Sequence, residues 1–189
     1  MNSEFKSSSQ IKFEHQENIP NNFRMLIIGE TNSGKTNLLL RMILKDDFLD
    51  LNNLVIFSST THQLEYQLVF HGFNNNLSKR IIQEIFYLSG KFEQYSIEEI
   101  CMSLKQYRRK PSNIKCTLSQ DVENVKDIDQ GFKTLVVFDD LVCNKNQTII
   151  EGYFFKGRHF NINCIYLSQS WNKIPKTIGE SFNFFPHLI

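Results

Sequence analysis

Gly29-Glu30-Thr31-Asn32-Ser33-Gly34-Lys35-Thr36 has the form G-x-x-x-x-G-K-T. Before it stands Phe23-Arg24-Met25-Leu26-Ile27-Ile28, an apolar run that predicts a buried strand. After it, Asn37-Leu38-Leu39-Leu40-Arg41-Met42-Ile43-Leu44 predicts a helix. Strand, glycine loop and helix in this order are the context in which the motif has physical meaning. A loop with a glycine at each end can turn successive backbone N–H groups inward, and the positive end of the following helix adds to their field. Such a nest holds phosphate oxygens. All eight residues from Gly29 to Thr36 are therefore candidate nucleotide-binding residues. Lys35 is expected to reach the β- and γ-phosphates as a point charge, and the Thr36 hydroxyl to take one position on Mg²⁺. A chance glycine turn would carry no such flanks.

Composition sets wider bounds. A chain of 189 residues suits one α/β domain with a core large enough to fold alone. Its formal net charge of +1 gives no overall pull toward nucleic acid, so any DNA contact has to come from a local patch or from several copies facing one channel. Cys101, Cys116, Cys143 and Cys164 lie far apart, without C-x-x-C or a histidine cluster at ligand spacing. That pattern argues against zinc and against a disulfide scaffold, and it fits a reducing compartment. Neither a signal peptide nor a run long enough to span a bilayer is legible, so the expectation is a soluble, intracellular protein without a membrane.

Residues 1–22 are polar and read as a flexible tail, leaving 23–189 as the folded domain. Leu54-Val55-Ile56-Phe57 predicts a second strand, closed by Ser58-Ser59-Thr60-Thr61. That hydroxyl cluster either caps the next helix, the preferred reading, or faces a ligand at the strand ends. Residues 62–110 predict three helices, the third opened by the capping box Ser96-Ile97-Glu98-Glu99 and ended by Tyr107-Arg108-Arg109-Lys110-Pro111. The basic residues there compensate a helix dipole or touch a phosphate backbone. Residues 112–131 show no dependable period and are expected to be an exposed connection.

Lys133-Thr134-Leu135-Val136-Val137-Phe138-Asp139-Asp140 reads as a fully buried parallel strand ending in two carboxylates. The acids fall where a strand tip would meet the phosphates. Asp139 is expected to hold Mg²⁺ through its water shell, and Asp140 to orient or deprotonate the attacking water. Residues 147–156 then predict a helix stopped by Gly157, and Arg158 follows it. Placed beside the nucleotide-binding edge, that arginine is a candidate finger for a neighbouring subunit's γ-phosphate, or else a helix-end arginine satisfying loose carbonyls. Ile162-Asn163-Cys164-Ile165-Tyr166-Leu167 predicts a fourth strand. At its tip, Gln169 can donate to a γ-phosphate oxygen and accept from the lytic water. Trp171 reads as packing, and Ile174-Pro175-Lys176-Thr177-Ile178 as the start of a short helix.

Together GETNSGKT, TLVVFDD, GRHFNINCIYLSQS and NKIPKTI resemble the FtsK/HerA-type genome-packaging ATPases, most closely those of poxvirus-related large DNA viruses, virophages and Maverick/Polinton elements. The resemblance implies an ASCE-type, RecA-like P-loop NTPase, a three-layer α/β sandwich around a mostly parallel sheet, with an additional strand between the P-loop and FDD strands. It implies ATP and Mg²⁺ as cofactors, and a homo-oligomeric ring that drives double-stranded DNA, without sequence preference, into a preformed capsid through a capsid or portal protein. By this likeness Lys35, Asp140, Gln169 and Arg158 are the catalytic residues, with Thr36 and Asp139 on the metal. Location follows the assembly site, host cytoplasm or nucleus. The chain ends at Ile189, about where the resemblance expects a further strand.

Rival classes fare worse. A GTP switch needs N-K-x-D and D-x-x-G, but Asn144-Lys145-Asn146-Gln147 lacks the aspartate and Asp139-Asp140-Leu141-Val142 the glycine. A nucleotide or small-molecule kinase shares the loop but normally shows an arginine-rich lid, where this chain has only scattered arginines. A non-catalytic ATP-binding assembly factor would not need the two acids and Gln169.

Overall fold

The structure, a computed structural model, describes residues 15, 16, 19–88, 96–104, 111–128, 131–141 and 147–183. Five strands form one sheet: β1 (Arg24–Ile28), β2 (Asn53–Ser58), β3 (Lys115–Ser119), β4 (Thr134–Asp139) and β5 (Ile162–Ser168). Their spatial order is β1-β5-β4-β2-β3, and every pairing is parallel. β5 therefore lies between the strand that feeds the glycine loop and the strand that ends in the acids. This is the additional strand that the resemblance implied.

Parallel strands need crossovers, and here helices supply them on both faces. On one side pack α1 (Lys35–Leu44), α2 (Leu64–Asn74), α3 (Lys79–Leu88) and α4 (Ile97–Leu104). They cover Met25, Ile27, Leu54, Ile56, Leu135, Val137, Ile165 and Leu167. The alternate residues Leu26, Val55, Phe57, Val136, Phe138, Cys164 and Tyr166 face α5 (Gln147–Lys156) and α6 (Lys176–Gly179). Side chains alternate along a strand, so one apolar run feeds two cores. A three-layer α/β sandwich results. On the α5 side Phe138 anchors β4, with ring centroids 5.7 Å from Phe57, 5.1 Å from Tyr153 and 6.3 Å from Tyr166. Contacts of this kind contribute about 0.5–1.5 kcal/mol each beyond burial, and they fix the strand whose next residue is Asp139.

The expectation for residues 112–131 needs correction. Residues 112–131 contain β3, so the strand beginning at Ile162 is the fifth and not the fourth. Among the described residues β3 pairs only with β2, and of its own residues only Cys116 is buried, so it lacks an apolar run to announce it. Of the tail expected over 1–22 only 15, 16 and 19–22 are described, and His15, Gln16 and Ile19 contact the domain. His15 accepts from the Asp50 backbone N–H at 3.0 Å and sits 3.1 Å from Asn163 Nδ2, while the Gln16 N–H donates to the Phe48 carbonyl. The basic run at 107–110 lies outside the described residues, apart from the capping box before it, where Ser96 and Glu99 exchange bonds as expected.

Candidate nucleotide site

All strand tips of the parallel sheet point the same way, and β1, β4 and β5 end in register: Ile28 is level with Ser168, and Asp139 with Leu167. Beyond them opens a cleft of about 490 Å³. Residues Thr31 to Asn37 wall one side, and Asp139, Asp140, Ser168 and Gln169 another. The sequence separated these groups by more than a hundred positions, and the crossovers bring them together.

The loop takes its shape from its glycines. A Cβ at Gly29 would stand 2.4 Å from the Ser33 hydroxyl and 3.1 Å from its Cβ, so a side chain there would displace Ser33. Gly34 has φ +88°, in the left-handed region that costs a side-chain-bearing residue energy. It is the N-cap of α1, and no side chain caps that helix. The helix thus directs its N-terminal field at the cleft. The Lys35 ammonium donates to the carbonyls of Gly29 at 2.6 Å and Glu30 at 2.7 Å. An ammonium has three donors, which leaves one for a phosphate oxygen.

Asp139 is buried, and burial raises its carboxyl above the ordinary carboxylate range, with the neighbouring Asp140 charge adding to the shift. Hydrogen bonds from Tyr66 and Ser58 and the charge of Lys35 act the other way. The Tyr66 hydroxyl donates to Asp139 Oδ2 at 2.6 Å, and the Ser58 hydroxyl to the same oxygen at 3.4 Å. Asp140 is exposed and adopts φ +52°, a left-handed conformation that aspartate tolerates better than most residues. Gln169 Nε2 donates to Asp140 Oδ1 at 3.4 Å. Acid and amide, read separately from two strand tips, therefore meet side chain to side chain.

Arg158 lies elsewhere. α5 runs back from the β4 tip, so Arg158 follows its far end and precedes β5 at the sheet's opposite edge. It shares a cleft with Asn22, Arg24 and Asn183 at the start of β1. A seven-residue strand separates it from the nucleotide edge, about 20 Å. The expectation that it stands beside that edge in its own chain is corrected accordingly.

The hydroxyl cluster after β2 also departs from its preferred reading. Helix α2 has Gln63 as N-cap, with no side-chain capping bond. Ser58 instead serves Asp139 and accepts from the Thr60 backbone N–H at 3.1 Å, while Thr60, Gln63 and Glu65 line the cleft. Tyr66 was not legible as a site residue, because a tyrosine on an amphipathic helix reads as core. Trp171 is 51% exposed and meets Phe182 edge-on, so the packing expected of it is partial.

Comparison with known proteins follows this geometry. The family described as "Poxvirus A32 protein" matches residues 10–188. The chain belongs to that family. Its members are viral genome-packaging ATPases. No curated protein matches the chain in sequence. Among solved structures, the cytoplasmic domain of EssC is similar at 14% identity and TM-score 0.44, covering 85% of this chain and 31% of that one. EssC (ATPases 2 and 3) from Geobacillus thermodenitrificans gives 13%, 0.41, 85% and 30%. The cytoplasmic domain of the type VII secretion ATPase EccC from Thermomonospora curvata gives 12%, 0.39, 84% and 20%. The chain spans less than a third of each. Among the described residues no helix is long and apolar enough to cross a membrane.

Proposed function

We propose that this packaging-family ATPase couples ATP hydrolysis to movement of double-stranded DNA into a capsid, as a ring of identical subunits working with a capsid or portal protein. One observation carries the reading: loop, acids and amide from three strand tips converge on one cleft in a chain of this family. Backbone N–H groups of the loop and Lys35 bind and orient the triphosphate. Asp140 and Gln169, already in contact, hold the water in line with the γ-phosphorus, and Asp140 takes its proton.

The donor set suits magnesium. Thr36 and Asp139 offer a hydroxyl and a carboxylate, hard oxygen donors, and the described residues contain no cluster of three or more His, Cys, Asp or Glu to cage a softer metal. When bound there, the ion supplies neutralisation of the β- and γ-oxygens. Arg158, a strand's length from the nucleotide edge of its own subunit, is assigned to a neighbour's γ-phosphate in a head-to-tail contact. DNA in the ring's channel is held through its phosphates, which accounts for a chain of formal charge +1 needing several copies. Work takes place in the host cell where virions assemble.

The test is turnover with and without duplex DNA. ATPase activity rises with DNA in the parent chain and is absent in Lys35→Ala. Mixing Arg158→Ala with Lys35→Ala subunits restores activity, because each supplies what its neighbour lacks. Failure of the mixture to exceed either variant alone overturns the trans role. DNA-independent turnover overturns the motor.

A further inference from the structure

Tyr66 is wholly buried in α2, among Leu68, Leu54 and Ile56 of the core beneath the helix layer. Its phenol points at the candidate metal site. The hydroxyl donates to Asp139 Oδ2 at 2.6 Å. A phenol has one proton, and Asp139 receives it. Ser58 donates to the same Oδ2, so two side chains from β2 and α2 set the carboxylate's rotation.

We propose that Tyr66 is a positioning residue for the magnesium site, setting the rotation of the Asp139 carboxylate. This rests on the reading of Thr36 and Asp139 as the metal's ligands. Partners of this kind orient the groups that touch a metal, and their loss typically lowers metal affinity by about 10- to 100-fold. The opposite assignment makes Tyr66 a core side chain whose hydroxyl merely found a neighbour. Phenylalanine would then do as well, since the ring would still fill the same space. Ser58 alone does not replace it, because at 3.4 Å its bond to Oδ2 is the weaker of the two.

Mn²⁺ is the probe, its free signal followed by electron paramagnetic resonance while it is titrated into protein saturated with a non-hydrolysable ATP analogue. In Tyr66→Phe the Mn²⁺ dissociation constant rises about 10- to 100-fold, while affinity for the analogue without metal stays that of the parent. A Mn²⁺ constant within about twofold of the parent overturns the proposal. Asp139→Asn separates the two levels of inference. If that variant also binds Mn²⁺ normally, the reading of the metal ligands is what fails; if it loses Mn²⁺ and Tyr66→Phe does not, only the role of Tyr66 fails. Should Tyr66→Phe prove too unstable to titrate, ζ-¹³C-tyrosine NMR of the parent decides: one tyrosine resonance shifts when Mg²⁺ joins the bound analogue, and an unchanged spectrum overturns the role.

Discussion

Two glycines in helix interiors should respond to the same substitution with opposite signs. Gly72 lies in α2, where a Cβ would meet Ile82 Cγ1 at 2.7 Å and Cδ1 at 2.8 Å. Ile82 is fully buried, so it has no solvent to swing into. Forcing an extra methyl into such a contact costs about 1–3 kcal/mol. Replacing glycine by alanine in a helix returns about 0.8–1 kcal/mol. The clash wins, and Gly72→Ala loses about 1 kcal/mol net, a fall of about 2–4 °C in Tm for a chain of this size. Gly152 lies in α5 with nothing within 4 Å of its added Cβ. Only the propensity term acts there, and Gly152→Ala gains about 0.5–1 kcal/mol. Urea unfolding of both variants beside the parent, with m held constant, reads the two shifts directly. If Gly72→Ala is as stable as the parent, or the two variants shift in the same direction, the α2–α3 packing described here is wrong.

Other expectations follow from the site and its surroundings. Lys35→Ala should bind nucleotide far more weakly while unfolding at the parent's temperature, because its partners are loop carbonyls rather than core groups; calorimetric titration with ATP checks this. Gln169→Ala removes the amide that meets Asp140 Oδ1, so the hydrolysis rate should fall while nucleotide affinity holds, as steady-state rates beside calorimetric titration would show. Burial holds His15 below its ordinary value, outweighing the attraction of Asp50 and the bond to Asn163, while Lys133 and Lys79 push the same way as burial. A folded-state value below the unfolded one means the unfolded chain takes up the proton first. Stability is therefore full above about pH 6.5 and declines as pH falls through the folded value, a slope that His15→Asn should flatten in urea titrations at a series of pH values.

The sequence was most legible where one residue type had one physical use. Gly34 needs a positive φ, Val136 and Val137 need burial on both faces, and these positions are where reading and structure agree. It was less legible where a residue serves a partner distant in the chain. Tyr66 and Ser58 differ from ordinary core and cap residues only in that Asp139, 73 and 81 positions later, arrives beside them. Arg158 was read beside the phosphates because it follows a helix stop; the reversal of direction along α5 carries it to the opposite edge. β3 went unread because an edge strand with one neighbour needs few apolar side chains, and Lys115 and Thr117 supply none.

The placing of β5 has a consequence for how the molecule is made. β1 precedes β5 in the chain, yet its strand neighbour among the described residues is β5, with Arg24 level with Cys164 and Phe23 bonded to Asn163, 140 positions on. Contacts that distant are slow to form, since the intervening chain must be ordered first. During synthesis β2, β3 and β4 can assemble while the opening strand waits. The glycine loop at the tip of β1 thus takes its place beside the Ser168 end of β5 only after β5 has been made.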